Sequence, residues 1–461
     1  MSDALIINGK KVDDIYIERG FKIPSFNYAL EVEEVAGRVG GVLKDRKIGP
    51  LEFEIPLIVR NDTHTNRNGQ KNHDDIINDL VKRVDSDKPI KLQFESQNWY
   101  WNAYITGPFE LDKDVGMQAE LSLKVTLLDP YKYAVEGTKN TAISDQVSVV
   151  STGTADSPII VQATALKNAS YFSITKNDED YFMIGDDDLD KKVEDYTPTL
   201  FNDEMRSFFG WTKVTNGSIN DNVTGGTVGG SMAMSSSKDA FMLNESSITS
   251  TSGWNGAEYK HSFGKSTQDF SSTIKIHVNQ GKKGATHATQ YVYDTDNRVI
   301  ASIGYSNPRA TQNIGVIYVT LFDQNGNQKV IYNYTNTPEF YTWKHIVVYM
   351  RLKRIGDKFY IKTWKYDEVD YPKRITPIDV HEKVFIDSGN FYQRPISAVS
   401  IYIAKNGSNY HMPTTILGSY NHEILPKPPK ARDLIIKKGD LININMAEKT
   451  VTINEEPALD L

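Results

Sequence analysis

The sequence predicts a mainly β protein, and three observations lead to that class. Two segments in the N-terminal third alternate apolar and polar residues with a period of two, as a strand with one buried face does. The chain holds 25 Tyr, 18 Phe and 6 Trp, and aromatic residues favour strands. In the middle of the chain, short turns of Asn, Asp and Gly separate many strand-like runs. Together these features predict sheets joined by hairpins.

The N-terminal region, residues 1–135, is predicted to be a β-sandwich that carries one helix. Residues 51–59 and 119–127 supply the two alternating strands. Between them, residues 73–85 have apolar side chains at helical spacing, which predicts an amphipathic helix packed on the sheet. These apolar positions are Ile76, Ile77, Leu80, Val81 and Val84.

The middle region, residues 199–425, is predicted to be a jelly-roll or lectin-like β-sandwich. Its strand-like runs meet turns such as 294–297 and 323–326, which are rich in Asp, Asn and Gly. An acidic run at 186–198 precedes it, and a proline-rich run at 426–430 follows it. Both runs are predicted to be connectors between domains.

The regions on either side of the middle sandwich are predicted to form one domain in two parts. Residues 136–198 contain too few strand-like runs to close a sandwich alone, since such a fold has about seven or eight strands. Residues 426–461 add a hairpin and a further strand. The middle sandwich is therefore interpreted as an insertion into this second domain.

Composition excludes several classes of function. The net charge of −7 argues against nucleic-acid binding, which calls for a basic face. The absence of cysteine excludes disulfides, thiolate metal sites and a cysteine nucleophile. No run approaches the 18 apolar residues of a membrane helix, so membrane insertion is not expected. The first residues also lack the pattern of a secretory signal peptide.

The sequence carries no motif for catalysis, and we predict that the chain is not an enzyme. It lacks the zinc-binding His-Glu-x-x-His, the Gly-x-Ser-x-Gly elbow and the phosphate-binding loop. No cofactor and no metal are predicted. The acidic cluster at 186–190 lacks the glycine and the closing glutamate of a calcium loop, so it is interpreted as a solvated linker. A glycosidase remains the alternative, because its two carboxylates meet only in the folded chain.

Four residues of the middle region are predicted to bind carbohydrate. Trp254 precedes Asn255-Gly256, and Tyr305 precedes Asn307 and Arg309, in what the sequence suggests are loops. An exposed aromatic face beside amide and guanidinium donors suits a sugar ring. The alternative for each aromatic residue is a half-buried place on the rim of the sandwich.

Several short segments of the chain resemble one viral family. They are 5–10, 49–56, 121–133, 153–158 and 439–456. In this order they are similar to segments of the distal tail protein (Dit) of siphophages that infect Gram-positive hosts. The segments after residue 135 resemble the galectin-like β-sandwich of that family.

The resemblance implies a structural protein of the virion, made in the host cytoplasm and placed at the distal end of the tail. It implies a homohexameric ring between the tail-tube protein and the tail-associated tip protein. The extra middle sandwich resembles the inserted modules of "evolved" members, which implies binding to host cell-wall polysaccharide. A purely architectural insertion is the further alternative.

The remaining tryptophans are predicted to be structural. Trp211, Trp343 and Trp364 lie in or beside strand-like runs and are predicted to be core residues. Trp99 and Trp101 share one face of a strand, so we expect them to pack in the domain or in the ring interface.

Overall fold

The computed structural model describes residues 3–34, 36–37, 39–60, 73–107, 109, 118–144, 146–151, 153–176, 180–336, 340, 344–368 and 376–459. The chain divides into two compact units, Met1–Ala155 and Asp156–Leu461. Within the described ranges the structure is mainly β with one α-helix, which confirms the predicted class. No helix in these ranges has the length and apolar character needed to cross a membrane.

The first unit is built around a closed sheet. Its elements are β1 (Ala4–Ile7), β2 (Lys10–Ile17), β3 (Asn27–Glu34), β4 (Gly41–Gly49), β5 (Leu51–Arg60), α1 (His73–Val84), β6 (Ile90–Phe94), β7 (Trp99–Thr106), β8 (Gln118–Leu127) and β9 (Tyr133–Ala134). The strand order is β6-β1-β2-β5-β8-β7-β9, and β6 also pairs with β7. That extra pairing turns the expected two-sheet sandwich into a barrel, in which each of the six strands pairs with a neighbour on both sides. Strands β3 and β4 form a separate exposed hairpin.

The single helix lies where the apolar spacing predicted it. Ile76, Leu80 and Val84 are buried and belong to the barrel's apolar core. They are four residues apart, so they lie on one face of the helix. Acidic residues occupy the first turn and basic residues the last, and both arrangements complement the helix dipole.

The second unit begins and ends with short strands. It opens with β10 (Ile160–Thr164), β11 (Tyr171–Thr175), β12 (Tyr181–Gly185) and β13 (Lys192–Glu194). The middle region follows with β14 (Thr199–Asp203), β15 (Thr212–Val214), β16 (Gly217–Ile219), β17 (Gly226–Val228), β18 (Ser231–Met234), β19 (Phe241–Asn244), β20 (Trp254–Thr267), β21 (Phe270–Asn279), β22 (Thr286–Tyr293), β23 (Val299–Asn307), β24 (Val316–Phe322), β25 (Gln328–Thr335), β26 (His345–Ile355), β27 (Lys358–Asp367), β28 (Ile378–Ile386), β29 (Ile396–Asn406) and β30 (Thr414–Glu423). It closes with β31 (Ala431–Asp433), β32 (Leu441–Asn445), β33 (Thr450–Ile453) and β34 (Glu456–Pro457).

The middle region forms a sandwich of two large, mainly antiparallel sheets. Among the described residues, the eight-stranded sheet has the order β18-β19-β30-β21-β26-β27-β28, with β14 beside β30. The nine-stranded sheet has the order β16-β17-β20-β29-β22-β23-β24-β25, with β15 beside β20. Apolar side chains from both sheets meet in one continuous core, including Ile274 and Phe359 from the first and Ile303 and Ile401 from the second. Two sheets packed through their inner faces are the expected outcome of period-two strands.

The segments before and after this sandwich pair with each other. Strand β10 pairs with β32 in the sheet β10-β32-β33-β34, which we call the C-terminal sheet. The hairpin β11–β12 packs on it through a small core that includes Ile184, Ile436 and Ile442. The two connectors also meet, because β13 of the acidic run pairs in parallel with β31, which directly follows the proline-rich run. Within the acidic connector, Lys191 lies 2.7 Å from a carboxylate oxygen of Asp186 and offsets part of the negative charge.

Candidate functional site

The four predicted carbohydrate contacts do not share one surface. Trp254 is the first residue of β20 and is half-buried. The neighbouring core residues of β20 are Ala257 and Tyr259, so the alternation of the strand places Trp254 on the opposite, outer face of the nine-stranded sheet. There its ring stacks on the ring of His287, with 3.4 Å between the centroids and 18° between the planes.

Tyr305 is a core residue, which corrects the prediction that it faces a ligand. It lies within β23 and is only 1% exposed. Its partner across the strand pair is Ala288, another residue of the core between the two sheets. Burial raises the pKa of the Tyr305 hydroxyl. The predicted loop is therefore a strand, and this ring points away from the face that carries Trp254.

Asn307 is also buried, and its side chain forms hydrogen bonds with the loop that follows β23 and with Gly284, just before β22. Its amide nitrogen donates to the carbonyl oxygens of Gly284, Arg309 and Gln312, at 2.6, 3.0 and 2.9 Å. Its side-chain oxygen accepts from the backbone nitrogen of Ile314 at 3.0 Å. Asn307 thus shapes the loop rather than contacting a ligand, which is a second correction. The loop presents Arg309, whose exposed guanidinium donates to Gln312 at 3.0 Å.

A half-buried tyrosine that the sequence analysis did not single out lies on the same outer face as Trp254. Tyr318, in β24, is paired with Gly304 on one side and with Asn333 on the other. Gly304 is buried, with the side chains of Thr224 and Thr289 packed against it, whereas Asn333 is exposed, so the Tyr318 ring adjoins an amide at the surface. The strand pattern of the sequence could have indicated Tyr318. Its neighbours Ile317 and Val319 are both core residues, so alternation points the Tyr318 side chain outward.

Trp254 and Tyr318 bracket a strip of small residues, which we call the outer-face strip. His287, which supports Trp254, lies in β22, and Tyr318 lies two strands away in β24. Adjacent strands are about 4.8 Å apart, so this separation is about 10 Å. The strand between them contributes Ser306 and Gly304, which are both buried. Trp254 itself lies on β20, two strands beyond β22, so the two aromatic side chains suit separate rather than adjacent units of a sugar chain.

The electrostatics of the strip favour a neutral ligand contact. Burial lowers the pKa of His287 to about 3, so its ring is uncharged under Trp254 at neutral pH. Partial burial raises the pKa of Tyr318, so its hydroxyl stays protonated and can donate a hydrogen bond. Within the described residues, the nitrogen Nδ1 of His287 is buried without a hydrogen-bond partner.

Two carboxylates near this face are buried and accept hydrogen bonds from neighbouring side chains. Glu258 is buried and accepts from the hydroxyls of Tyr293 and Ser400, each at 2.6 Å. Asp221 is buried and accepts from the hydroxyl of Thr224 at 2.9 Å. A glycosidase needs two carboxyls facing each other across a groove, and these two bind their own neighbours instead. In the ranges that the structure describes, no group of three acidic or histidine side chains could hold a metal ion.

The outer face of the other sheet is covered by the chain itself. Tyr349, Trp364 and Tyr366 point away from the sandwich core but are buried under a turn of the C-terminal sheet. Trp364 is therefore buried, as predicted, although it is not part of the core between the sheets. Trp211 does belong to that core, and Trp343 lies outside the described residues. Of the two outer faces, the nine-stranded one carries the exposed candidate residues.

Comparison with known families decides the class of the protein. Residues 8–126, which span most of the barrel, match the family model of the phage tail protein RIFT-related domain. The chain carries a phage tail protein domain. This confirms the prediction of a structural role in a virus tail. A comparison with curated protein sequences finds no match.

Solved structures similar to this chain include tail proteins, lectin-like domains and glycoside hydrolases. The CBM2 module of the evolved Dit of Lactobacillus casei phage J-1 aligns at 13% identity and a TM-score of 0.40, over 50% of this chain and 98% of that one. The Dit protein of SPP1 aligns at 10% and 0.25, over 91% and 99%. A β-glucanase of Bacillus licheniformis aligns at 9% and 0.31, over 48% and 97%. All three TM-scores lie below 0.5, so the function proposed here rests on the family match and on the residues of this chain.

Proposed function

We propose that this phage tail protein is the distal tail protein of its particle. In this role six copies form a ring between the tail-tube protein and the tail-associated tip protein. The family match over residues 8–126 is the observation that carries the proposal. The middle sandwich, residues 199–425, is the inserted module and binds host cell-wall polysaccharide without cleaving it.

The outer-face strip supports the binding role. Trp254 and Tyr318 offer aromatic rings on one sheet face, Asn333 offers an exposed amide, and Arg309 lies in the loop after β23. Glu258 and Asp221 are buried and hydrogen-bonded to their own neighbours, which favours binding over hydrolysis. A ring of six modules would multiply a weak affinity, because each further contact forms within an already bound particle.

The ring is tested by the mass of the purified full-length chain. We expect sedimentation equilibrium to give a species with six times the mass of the 52.0 kDa chain. Closed rings are the expected product of one repeated head-to-tail interface. A chain that stays monomeric across the whole concentration range contradicts the ring and leaves the sugar-binding proposal standing.

The binding role is tested by substituting the two aromatic residues of the strip. We expect Trp254→Ala and Tyr318→Ala each to weaken binding of the full-length protein to purified host cell walls by about tenfold or more. Truncating a central aromatic contact commonly costs this much affinity. Soluble wall polysaccharide should compete for the binding of the parent protein.

Phe209 provides a matched control, because it lies near β20 but away from Trp254. Phe209 is highly exposed, and its neighbour Gly210 contacts His261, seven residues along β20 from Trp254. Phe209→Ala should leave binding unchanged, and circular dichroism should show that all variants are folded. Equal binding by the parent and both strip variants contradicts the site. A parent protein that does not bind contradicts adhesion and supports an architectural insertion.

A further inference from the structure

The outer face of the eight-stranded sheet carries an aromatic cluster that the solvent does not reach. Trp364 and Tyr349 are stacked with their ring centroids 4.9 Å apart, and Tyr366 meets Tyr349 edge-on at 5.9 Å. All three are almost completely buried. Side chains on the outer face of a two-sheet sandwich are buried only when another part of the protein covers them. Here the cover is the tight turn between β33 and β34 of the C-terminal sheet.

The turn reaches the cluster through one glutamate. The backbone oxygen of Glu455 accepts from the indole nitrogen of Trp364 at 2.9 Å and from the hydroxyl of Tyr366 at 2.6 Å. Its carboxylate lies 2.8 Å from the ammonium of Lys275 and accepts from the hydroxyl of Tyr349. The backbone and side chain of Glu455 therefore make four contacts with three strands, β21, β26 and β27.

Adjacent residues extend the contact with complementary charge. Arg351 of β26 forms an ion pair with Glu456, and the ammonium of Lys362 donates to the backbone oxygen of Pro457 at 3.2 Å. Lys275, Arg351 and Lys362 thus supply the positive groups on the sandwich. Acidic side chains of the turn supply the negative ones. Buried or half-buried charge pairs of this kind define one orientation, because a shifted position leaves charges unpaired.

The backbone of the turn shows that the contact is built in at a conformational cost. Asn454 and Glu455 have φ angles of 50° and 68°, the left-handed values of a two-residue hairpin turn. The second position of such a turn favours glycine, yet it is occupied by the glutamate whose carboxylate meets Lys275. A strained residue whose side chain makes the key contact indicates a functional constraint.

The two connectors provide a second attachment between the same parts. Besides the pairing of β13 with β31, the backbone nitrogen of Leu425 donates to the oxygen of Tyr196 at 2.9 Å. The ammonium of Lys437 lies 2.9 Å from a carboxylate oxygen of Asp195 and donates to the oxygen of Thr197 at 2.7 Å. Paired strands resist twisting more than two separate flexible linkers do.

We propose that the Glu455 turn and the paired connectors lock the middle sandwich onto the C-terminal sheet. The sandwich is then a fixed extension of the second unit rather than a module on a flexible tether. Every copy in an assembly presents the outer-face strip in the same direction relative to that sheet. The lock depends only on contacts within the second unit, so it stands whether or not the strip binds sugar.

The lock is tested by measuring a distance across it. The chain has no cysteine, so Lys167→Cys beside β10 and Ser236→Cys in the sandwich give two specific sites for spin labels. Both positions are exposed. We expect pulsed electron-spin spectroscopy of the full-length protein to show one narrow distance distribution, centred on the separation in the structure. Glu455→Arg places a further positive group beside Lys275 and should at least double the width of that distribution.

Three further variants distinguish loss of the lock from loss of folding. Glu448→Arg changes an exposed glutamate in the other turn of the same sheet and should leave the distribution narrow. Lys275→Glu combined with Glu455→Arg restores opposite charges and should narrow it again. Glu455→Gly favours the backbone of the turn but removes the carboxylate, so broadening in this variant arises from the lost contact. A broad parent distribution, or narrow ones in both Glu455 variants, overturns the proposal.

Discussion

Replacement of Asp379 by asparagine is expected to destabilise the middle sandwich by about 3 kcal/mol, since removing one partner of a buried ion pair leaves the other charge uncompensated. Asp379 pairs with Lys365, and their side chains are 8% and 1% exposed. Asparagine keeps the shape of the side chain and tolerates its φ of 52°. The loss of stability therefore measures the effect of removing the charge, and not the effect of a change in backbone conformation.

The environment of Asp379 explains why it carries that charge. Burial alone would raise the pKa of Asp379, but hydrogen bonds from Lys365 and Tyr334 and the charge of Lys365 lower it below the usual value of 3.8. The hydroxyl of Tyr334 donates to its carboxylate at 2.6 Å. Because the folded-state pKa is below that of the unfolded chain, the stabilisation is present at neutral pH. It is lost only as the pH falls below about 4.

Urea unfolding measures this effect, and two variants provide its controls. Asp296→Asn alters an exposed pair with Arg298 and should change the free energy of unfolding by less than about 0.5 kcal/mol. Lys365→Met combined with Asp379→Asn removes both buried charges and should recover most of the loss. If Asp379→Asn costs less than the exposed control, the buried pair does not contribute to stability as proposed.

Replacement of Trp101 by alanine should cost the N-terminal barrel about 3–5 kcal/mol, the usual range for removing a fully buried aromatic side chain. Trp101 is 1% exposed. Its ring lies 5.8 Å from that of Phe94, in an edge-on arrangement, and 5.3 Å from that of Phe53. The sequence predicts that Trp101 packs either within the domain or in the interface between subunits of the ring, and its burial within the first unit favours packing within the domain.

Two substitutions make this result specific. Trp99 is half-buried and 4.8 Å from Trp101, so Trp99→Ala should cost clearly less. Trp101→Phe keeps most of the apolar contact and loses an indole nitrogen that has no hydrogen-bond partner among the described residues, so its effect should also be small. Amide hydrogen exchange should show faster exchange of β7 and β8 in Trp101→Ala, with the strands of the second unit unchanged. Equal protection of the barrel in all variants would contradict the core role.

Local patterns in the sequence were sufficient to predict the type and position of several secondary-structure elements. The helix over residues 73–85 is observed as His73–Val84, because apolar residues four apart must share one helix face. The strands at 51–59 and 119–127 pair with each other as β5 and β8. Neighbouring residues decide such elements, so a short window of sequence contains the needed information. The family resemblance of the first third also came from short segments of this kind.

The same reasoning predicted only part of the candidate site. Trp254 and Arg309 do lie at the surface, but Tyr305 belongs to the core and Tyr318 to the outer face. The segment around Tyr305 was interpreted as a loop, and within a loop the alternation of strand faces does not apply. Once β23 is known to be a strand, its register with Ala288 determines the direction of the ring.

By itself, the sequence determined the mainly β class, the amphipathic helix, the strand periodicities and the resemblance to a tail protein. Only the tertiary structure decided that the N-terminal sheet closes through β6 and β7, and that one outer face of the sandwich is covered by Glu455 while the other carries Trp254 and Tyr318. The physical reason is the range of the interactions. Periodicity fixes which side chains share a face, whereas the partner that covers a face can come from residues about 90 positions away, as Glu455 does for Trp364.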